Sequence, residues 1–174
     1  MKLAGMASNR GRNLLNVADR APGGAEFAVI LTNDADAPVL DAAAERGIPT
    51  EVVERDGDSR RDHERRVVEA LSGYEFDLVC LDGYMRVLSD VFLDEVPTTL
   101  NVHPSLLPSF PGMDAWGDAL EYGTKLVGCT VHVVTDAVAE DGSVVEDEVD
   151  GGPVVTQEPV PVYEGDDRGD LQDR

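Results

Sequence analysis

Asn101 and His103 stand two residues apart in Thr99-Leu100-Asn101-Val102-His103-Pro104-Ser105, and on an extended strand that spacing turns both side chains to one face. An amide donor beside an imidazole suits acyl transfer, because Asn can hold a developing oxyanion while His manages a proton near neutral pH. Asp150 opens an Asp150-Gly151-Gly152-Pro153 turn before the last apolar run. A carboxylate there could orient His103 or position a water; an Asp chosen only because it suits turns is the alternative.

The other nucleophiles and ligands are sparse. His63 lies in Asp62-His63-Glu64-Arg65-Arg66 and His132 between Val131 and Val133, so the first is expected on a solvated helix face and the second in the core or beside the site. Three histidines give a metal centre little to work with, and none is expected. Cys80 and Cys129 sit in apolar runs without CxxC spacing and are expected as buried, reduced thiols. There is no GxSxG motif and no base beside either cysteine, which favours direct transfer over a covalent intermediate.

Two further segments stand at strand ends. Ser8-Asn9-Arg10-Gly11-Arg12-Asn13 opens a helix whose free N–H groups could take a phosphate, or it is a plain capped turn; it is neither GxGxxG nor a P-loop. Leu81-Asp82-Gly83-Tyr84-Met85-Arg86-Val87-Leu88 combines a glycine, large apolar side chains and an arginine, a mixture suited to a flat heterocycle. Met85 and Leu88 serve equally well as core, with Arg86 in a surface ion pair.

Short apolar runs alternating with helix-period segments place these groups. Strands are expected near 2–7, 26–32, 50–53, 77–81, 99–103, 127–134 and 154–160, and helices near 12–20, 37–46, 59–72, 89–95 and 114–122, a βαβ succession that implies a mainly parallel sheet flanked by helices. Such sheets bind ligands at the carboxyl ends of their strands. The two segments above and the Asn101/His103 pair all fall there.

At 174 residues with 42% hydrophobic content, the chain fits one domain over residues 1–174 with a substantial core. Its 35 acidic against 14 basic residues give a net charge of −21, a field that disfavours nucleic acid and anionic membranes as partners. Lysine is confined to Lys2 and Lys125, and acid spread along the chain suits a high-salt, halophilic setting in which self-repulsion is screened. No signal-peptide h-region or membrane-length apolar run is present, so a cytoplasmic location is expected. Residues 137–148, AVAEDGSVVEDE, are expected as an acidic surface hairpin or loop insertion. The polar tail from Glu164 is expected to begin a further helix.

The run NVHPSLLPSFPG at residues 101–112 with DGGP at 150–153 resembles the glycinamide ribonucleotide formyltransferases, folate-dependent enzymes of purine synthesis. GRNLL at 11–15, DSR at 58–60, GYMRVLS at 83–89, GCTVHVVTD at 128–136 and PVPVYEGD at 159–166 extend the resemblance along nearly the whole chain.

That resemblance implies a Rossmann-like, three-layer α/β fold and transfer of formyl from 10-formyltetrahydrofolate to the amine of glycinamide ribonucleotide, without metal. It implies Asn101, His103 and Asp150 as catalytic residues, Gly11, Arg12 and Asn13 as the phosphate loop, and Arg60, Met85, Arg86, Val87, Leu88 and Asn101 as folate contacts. Arg12 replaces the family's usual serine, and Trp116 stands where a histidine is expected. The family also continues into a C-terminal helix that this chain is expected to lack. Homodimerisation and fusion to another purine enzyme are both compatible with such a domain. Relatives with the same Asn/His/Asp chemistry, a 10-formyltetrahydrofolate hydrolase or another formyltransferase, are the nearest alternative; a non-catalytic folate or nucleotide binding module is the other.

Overall fold

The computed structural model describes residues 1–174. The elements run β1 (Lys2–Met6), α1 (Arg12–Arg20), β2 (Glu26–Thr32), α2 (Val39–Ala44), β3 (Thr50–Val52), α3 (Arg60–Leu71), β4 (Leu78–Leu81), α4 (Asp90–Leu93), β5 (Thr99–His103), α5 (Ala115–Tyr122), β6 (Leu126–Val133), β7 (Val154–Pro161) and α6 (Arg168–Asp173). Seven strands form one sheet in the order β3-β2-β1-β4-β5-β6-β7. The pairs from β3 to β5 are parallel, and β6 and β7 add on antiparallel.

Apolar runs such as Phe27-Ala28-Val29-Ile30-Leu31 make strands because helices cover the sheet on both sides, so both faces of a strand are buried. One cluster, with Ala4, Met6, Val29, Leu31, Val67, Val79 and Phe92, lies under α3 and α4. The opposite cluster, with Leu3, Ala7, Leu14, Phe27, Ile30 and Val39, lies under α1 and α2. Alternation along β1 sends Leu3 to one cluster and Ala4 to the other. Thr99, Asn101 and His103 share the α3 side, as the pairing of Asn101 with Leu81 and His132 shows.

The main difference from the sequence reading is α2, which covers 39–44 instead of 37–46. Pro38 disfavours the helical conformation for Ala37 before it, and the chain leaves through a turn that ends at Gly47, φ 68°. Residues 137–148 form a hairpin with an isolated bridge between Val138 and Val144; its first residues, Ala137 and Val138, are buried, and its tip is exposed. The tail does turn helical: Asp167 accepts from Gly169 N–H and Asp170 N–H while the Asp170 carboxylate accepts from Asp167 N–H, a reciprocal capping box.

The order of strands reverses at β1, flanked by β2 and β4, which opens a crevice at the carboxyl ends of β1 and β4. On the far side of β5, the Asp150 turn is held to β6 by close backbone approach. A Cβ on Gly152 would sit 1.8 Å from the Val133 carbonyl oxygen. Gly152→Ala should therefore cost roughly 3 kcal/mol or more in urea denaturation, whereas Gly73→Ala, with open space around it and no left-handed backbone, should cost far less.

Candidate active site

Asp150 is the joint of the site. It adopts φ 57°, a left-handed backbone that Asp tolerates better than most residues. Its Oδ2 accepts from Gly112 N–H at 3.1 Å and lies 3.2 Å from His103 Nδ1, while Oδ1 lies 3.5 Å from His132 Nε2. Burial alone would raise this carboxyl, but the His132 hydrogen bond, the Gly112 N–H and the nearby imidazole charges outweigh it and hold the group below its ordinary 3.8.

His103 is 4% exposed. Its Nε2 lies 2.9 Å from the Phe110 carbonyl oxygen, so both ring nitrogens face oxygen acceptors. Asn101 places Nδ2 3.2 Å from His132 Nε2, across the directly paired positions of β5 and β6. Asn101, His103, His132 and Asp150 thus make one connected polar cluster at the carboxyl end of β5. Thr130, opposite His103, donates to the Ser105 carbonyl and accepts from Leu107 N–H, which fixes the chain that leaves β5.

At the crevice between β1 and β4, Gly11 caps α1 with φ 56°, and a Cβ there would stand 2.9 Å from Val39 Cγ2. The Asn13 N–H and side-chain amide donate to Asp82 at 2.8 and 2.9 Å. A carboxylate from the end of β4 therefore occupies the helix N-terminus that the sequence reading assigned to a phosphate. Nothing in the local run around Asp82 signalled this, because the contact joins two strands' loops 69 positions apart. Arg12 is exposed and 3.6 Å from Asp173.

Arg60, Met85, Arg86, Val87 and Leu88 do come together. With Arg55, His63 and Glu64 they line a cavity of about 190 Å³. Arg60 donates to the Val87 carbonyl, the Nε atoms of Arg60 and Arg86 are buried without partners, Met85 is 55% exposed and Leu88 belongs to the core. A wider groove of about 900 Å³ at the amino end of the sheet, around Met1, Tyr74 and Pro97, contains none of these groups.

One side chain departs from its sequence reading. His63 is not solvated: it is buried, with Nε2 2.8 Å from the Val53 carbonyl, and burial lowers its pKa first among the causes. His132 is buried beside the site, as its place on the strand allowed, and contacts Asp150 and Asn101. Trp116 packs beside Ala119, Val127 and Leu171 and is a packing residue. Cys80 is half-buried, and desolvation pushes its thiol up to about 11, which leaves it inert at neutral pH. No group of three His, Cys, Asp or Glu side chains is arranged to hold a metal ion. No helix is long and apolar enough to cross a membrane.

A doubly wound α/β sheet with an amide, two imidazoles and a carboxylate gathered beyond its central strands has the parts of an acyl-transfer enzyme. The chain belongs to the formyl transferase family, whose model matches residues 1–174. It is 35% identical to the phosphoribosylglycinamide formyltransferase of Escherichia coli, covering 100% of this chain and 79% of that protein. It is 38% identical to part of the human trifunctional purine biosynthetic protein adenosine-3, of which it spans 16% while 99% of this chain is covered. The crystal structure of glycinamide ribonucleotide transformylase 1 from Symbiobacterium toebii superposes with a TM-score of 0.88 at 38% identity, over 99% of this chain and 79% of that one.

The pKa direction of Asp150 fixes a sign. A carboxyl lowered on folding contributes stability that is fully present above its unfolded value near 3.8 and is lost as pH falls through the folded value. Asp150→Asn keeps the shape and tolerates the left-handed backbone. Compared by urea denaturation, the stability gap between wild type and variant should stay constant above about pH 5 and shrink below the unfolded value.

Proposed function

We propose that this chain transfers the formyl group of 10-formyltetrahydrofolate to the amine of glycinamide ribonucleotide, a step of purine biosynthesis. The observation that carries the proposal is the cluster in which Asp150 meets His103 at 3.2 Å and His132 at 3.5 Å, with Asn101 beside them. The substrate amine attacks the formyl carbon. Asn101 holds the tetrahedral oxygen, His103 donates to it, and Asp150 orients His103 and a water that carries the amine proton to the folate nitrogen, so that collapse of the intermediate breaks the bond between the formyl carbon and that nitrogen and the folate leaves protonated. His132, on the other carboxylate oxygen, keeps Asp150 ionised and aimed. For His103 to reach substrate through Nε2, its contact with the Phe110 carbonyl must be exchanged.

Binding follows the same reading. The Arg60 and Met85–Leu88 cavity takes part of the folate, and Gly11, Arg12 and Asn13 take the ribonucleotide phosphate. Holding two reactants in line supplies on the order of 7 to 11 kcal/mol of the barrier reduction. The charge of −21 supports a salt-adapted setting, and the assay belongs in molar KCl.

Formyl transfer followed spectrophotometrically should require the ribonucleotide acceptor, and His103→Ala or Asn101→Ala should lower kcat by about a hundredfold to a thousandfold. Donor breakdown that proceeds without acceptor would instead assign a hydrolase, and folate binding without turnover a binding module.

Asp82 gives a second test, because an arriving phosphate competes with its carboxylate for the Asn13 N–H. Asp82→Ala should lower the KM for the ribonucleotide about threefold while costing about 1 kcal/mol of stability as a lost cap. A raised KM would mean that Asp82 helps the ligand bind.

A further inference from the structure

The run from Gly83 to Ser89 has no regular secondary structure, yet it carries Met85, Arg86, Val87 and Leu88. Its front end hangs on β1's loop, where Ser8 N–H donates to the Gly83 carbonyl at 3.1 Å and Ser8 Oγ accepts from Met85 N–H at 2.8 Å. Its back end is hydrogen-bonded to α3. Arg60 donates to the Val87 carbonyl, and one helical turn later Glu64 accepts from Ser89 N–H at 3.1 Å and from the Ser89 hydroxyl. A cation and an anion at i and i+4 on one helix face thus hold an acceptor and a donor two residues apart on the facing backbone.

Glu64 is 2% exposed and Ser89 is fully buried. A buried carboxylate is costly unless its lone pairs are satisfied, and Ser89 satisfies both oxygens. An apolar residue at position 64 would fill the space and leave the Ser89 N–H and hydroxyl without acceptors. Between the two grips, the Arg86 Nε is buried with no partner, so the run is held in place while one of its polar groups stays free at the cavity.

We propose that Glu64 is a positioning residue: through Ser89 it fixes the Met85–Leu88 run and so sets affinity for the formyl donor by way of that run. This rests on the folate assignment of the cavity given above. Glu64→Gln preserves size but puts an amide donor where one carboxylate oxygen accepted from Ser89. Ser89→Ala removes the same bond from the other side.

Steady-state kinetics with 10-formyltetrahydrofolate and glycinamide ribonucleotide varied separately should show, for both variants, a donor KM raised about fivefold or more with kcat and acceptor KM nearly unchanged. An unchanged donor KM overturns the proposal. So does a fall in apparent kcat with both KM values unchanged, since that is the signature of a smaller folded fraction. Amide hydrogen exchange separates this test from the function itself. Even in a wild type that transfers no formyl group, Glu64→Gln should lose protection selectively over residues 84–91, and unchanged or globally lowered protection would sink the assignment.

Discussion

The contact on which the site depends is the carboxylate of Asp150 between two imidazoles. A buried anion needs partners, and this one has three, from β5, from β6 and from the Gly112 loop. Those partners arrive from separate parts of the chain, so the carboxylate also locks the Phe110–Gly112 loop and the β5/β6 pair to the turn before β7. The left-handed backbone at Asp150 and the missing Cβ at Gly152 are local costs of that placement. They are offset by the hydrogen bonds the carboxylate gains.

Electrostatics divides the acidic molecule into two kinds of surface. Most arginines are spent on carboxylates, as in Arg46–Asp19, Arg61–Asp90, Arg66–Asp58, Arg168–Asp114 and Arg174–Asp166. Arg60 and Arg86 have no such partner and flank the cavity beside α3. The N-terminus of α1 is the opposite case, an anion-binding end already answered by Asp82. A ligand that carries negative charge at both ends would therefore meet an open cationic cavity at one place and a displaceable carboxylate at the other.

The fold was legible because its strands are apolar runs bounded by turns; Glu26–Thr32, Thr99–His103 and the starts of β1 and β3 fall where the pattern puts them. The pairing of Asn101 with His103 on one face followed from period two alone. What the pattern hid were contacts set by register and by helix phase. His132 joins the cluster because antiparallel pairing sets it opposite Asn101, which no local run discloses. His63 and Glu64 sit among Asp62, Arg65 and Arg66, whose charges mask that His63, Val67 and Leu71 form one buried face of α3. Spacing of four along 63, 67 and 71 was the available signal. For Asp82 there was none short of the three-dimensional meeting of two loops.

Whether Asp150 and His103 work as one unit is tested most directly by a double-mutant comparison of single-turnover formyl transfer. With Asp150→Asn, His103→Ala and the two combined, the double variant should be no slower than His103→Ala alone, because the carboxylate acts through the ring it orients. Rate losses that simply multiply would show that Asp150 and His103 contribute independently, and would contradict the linked cluster.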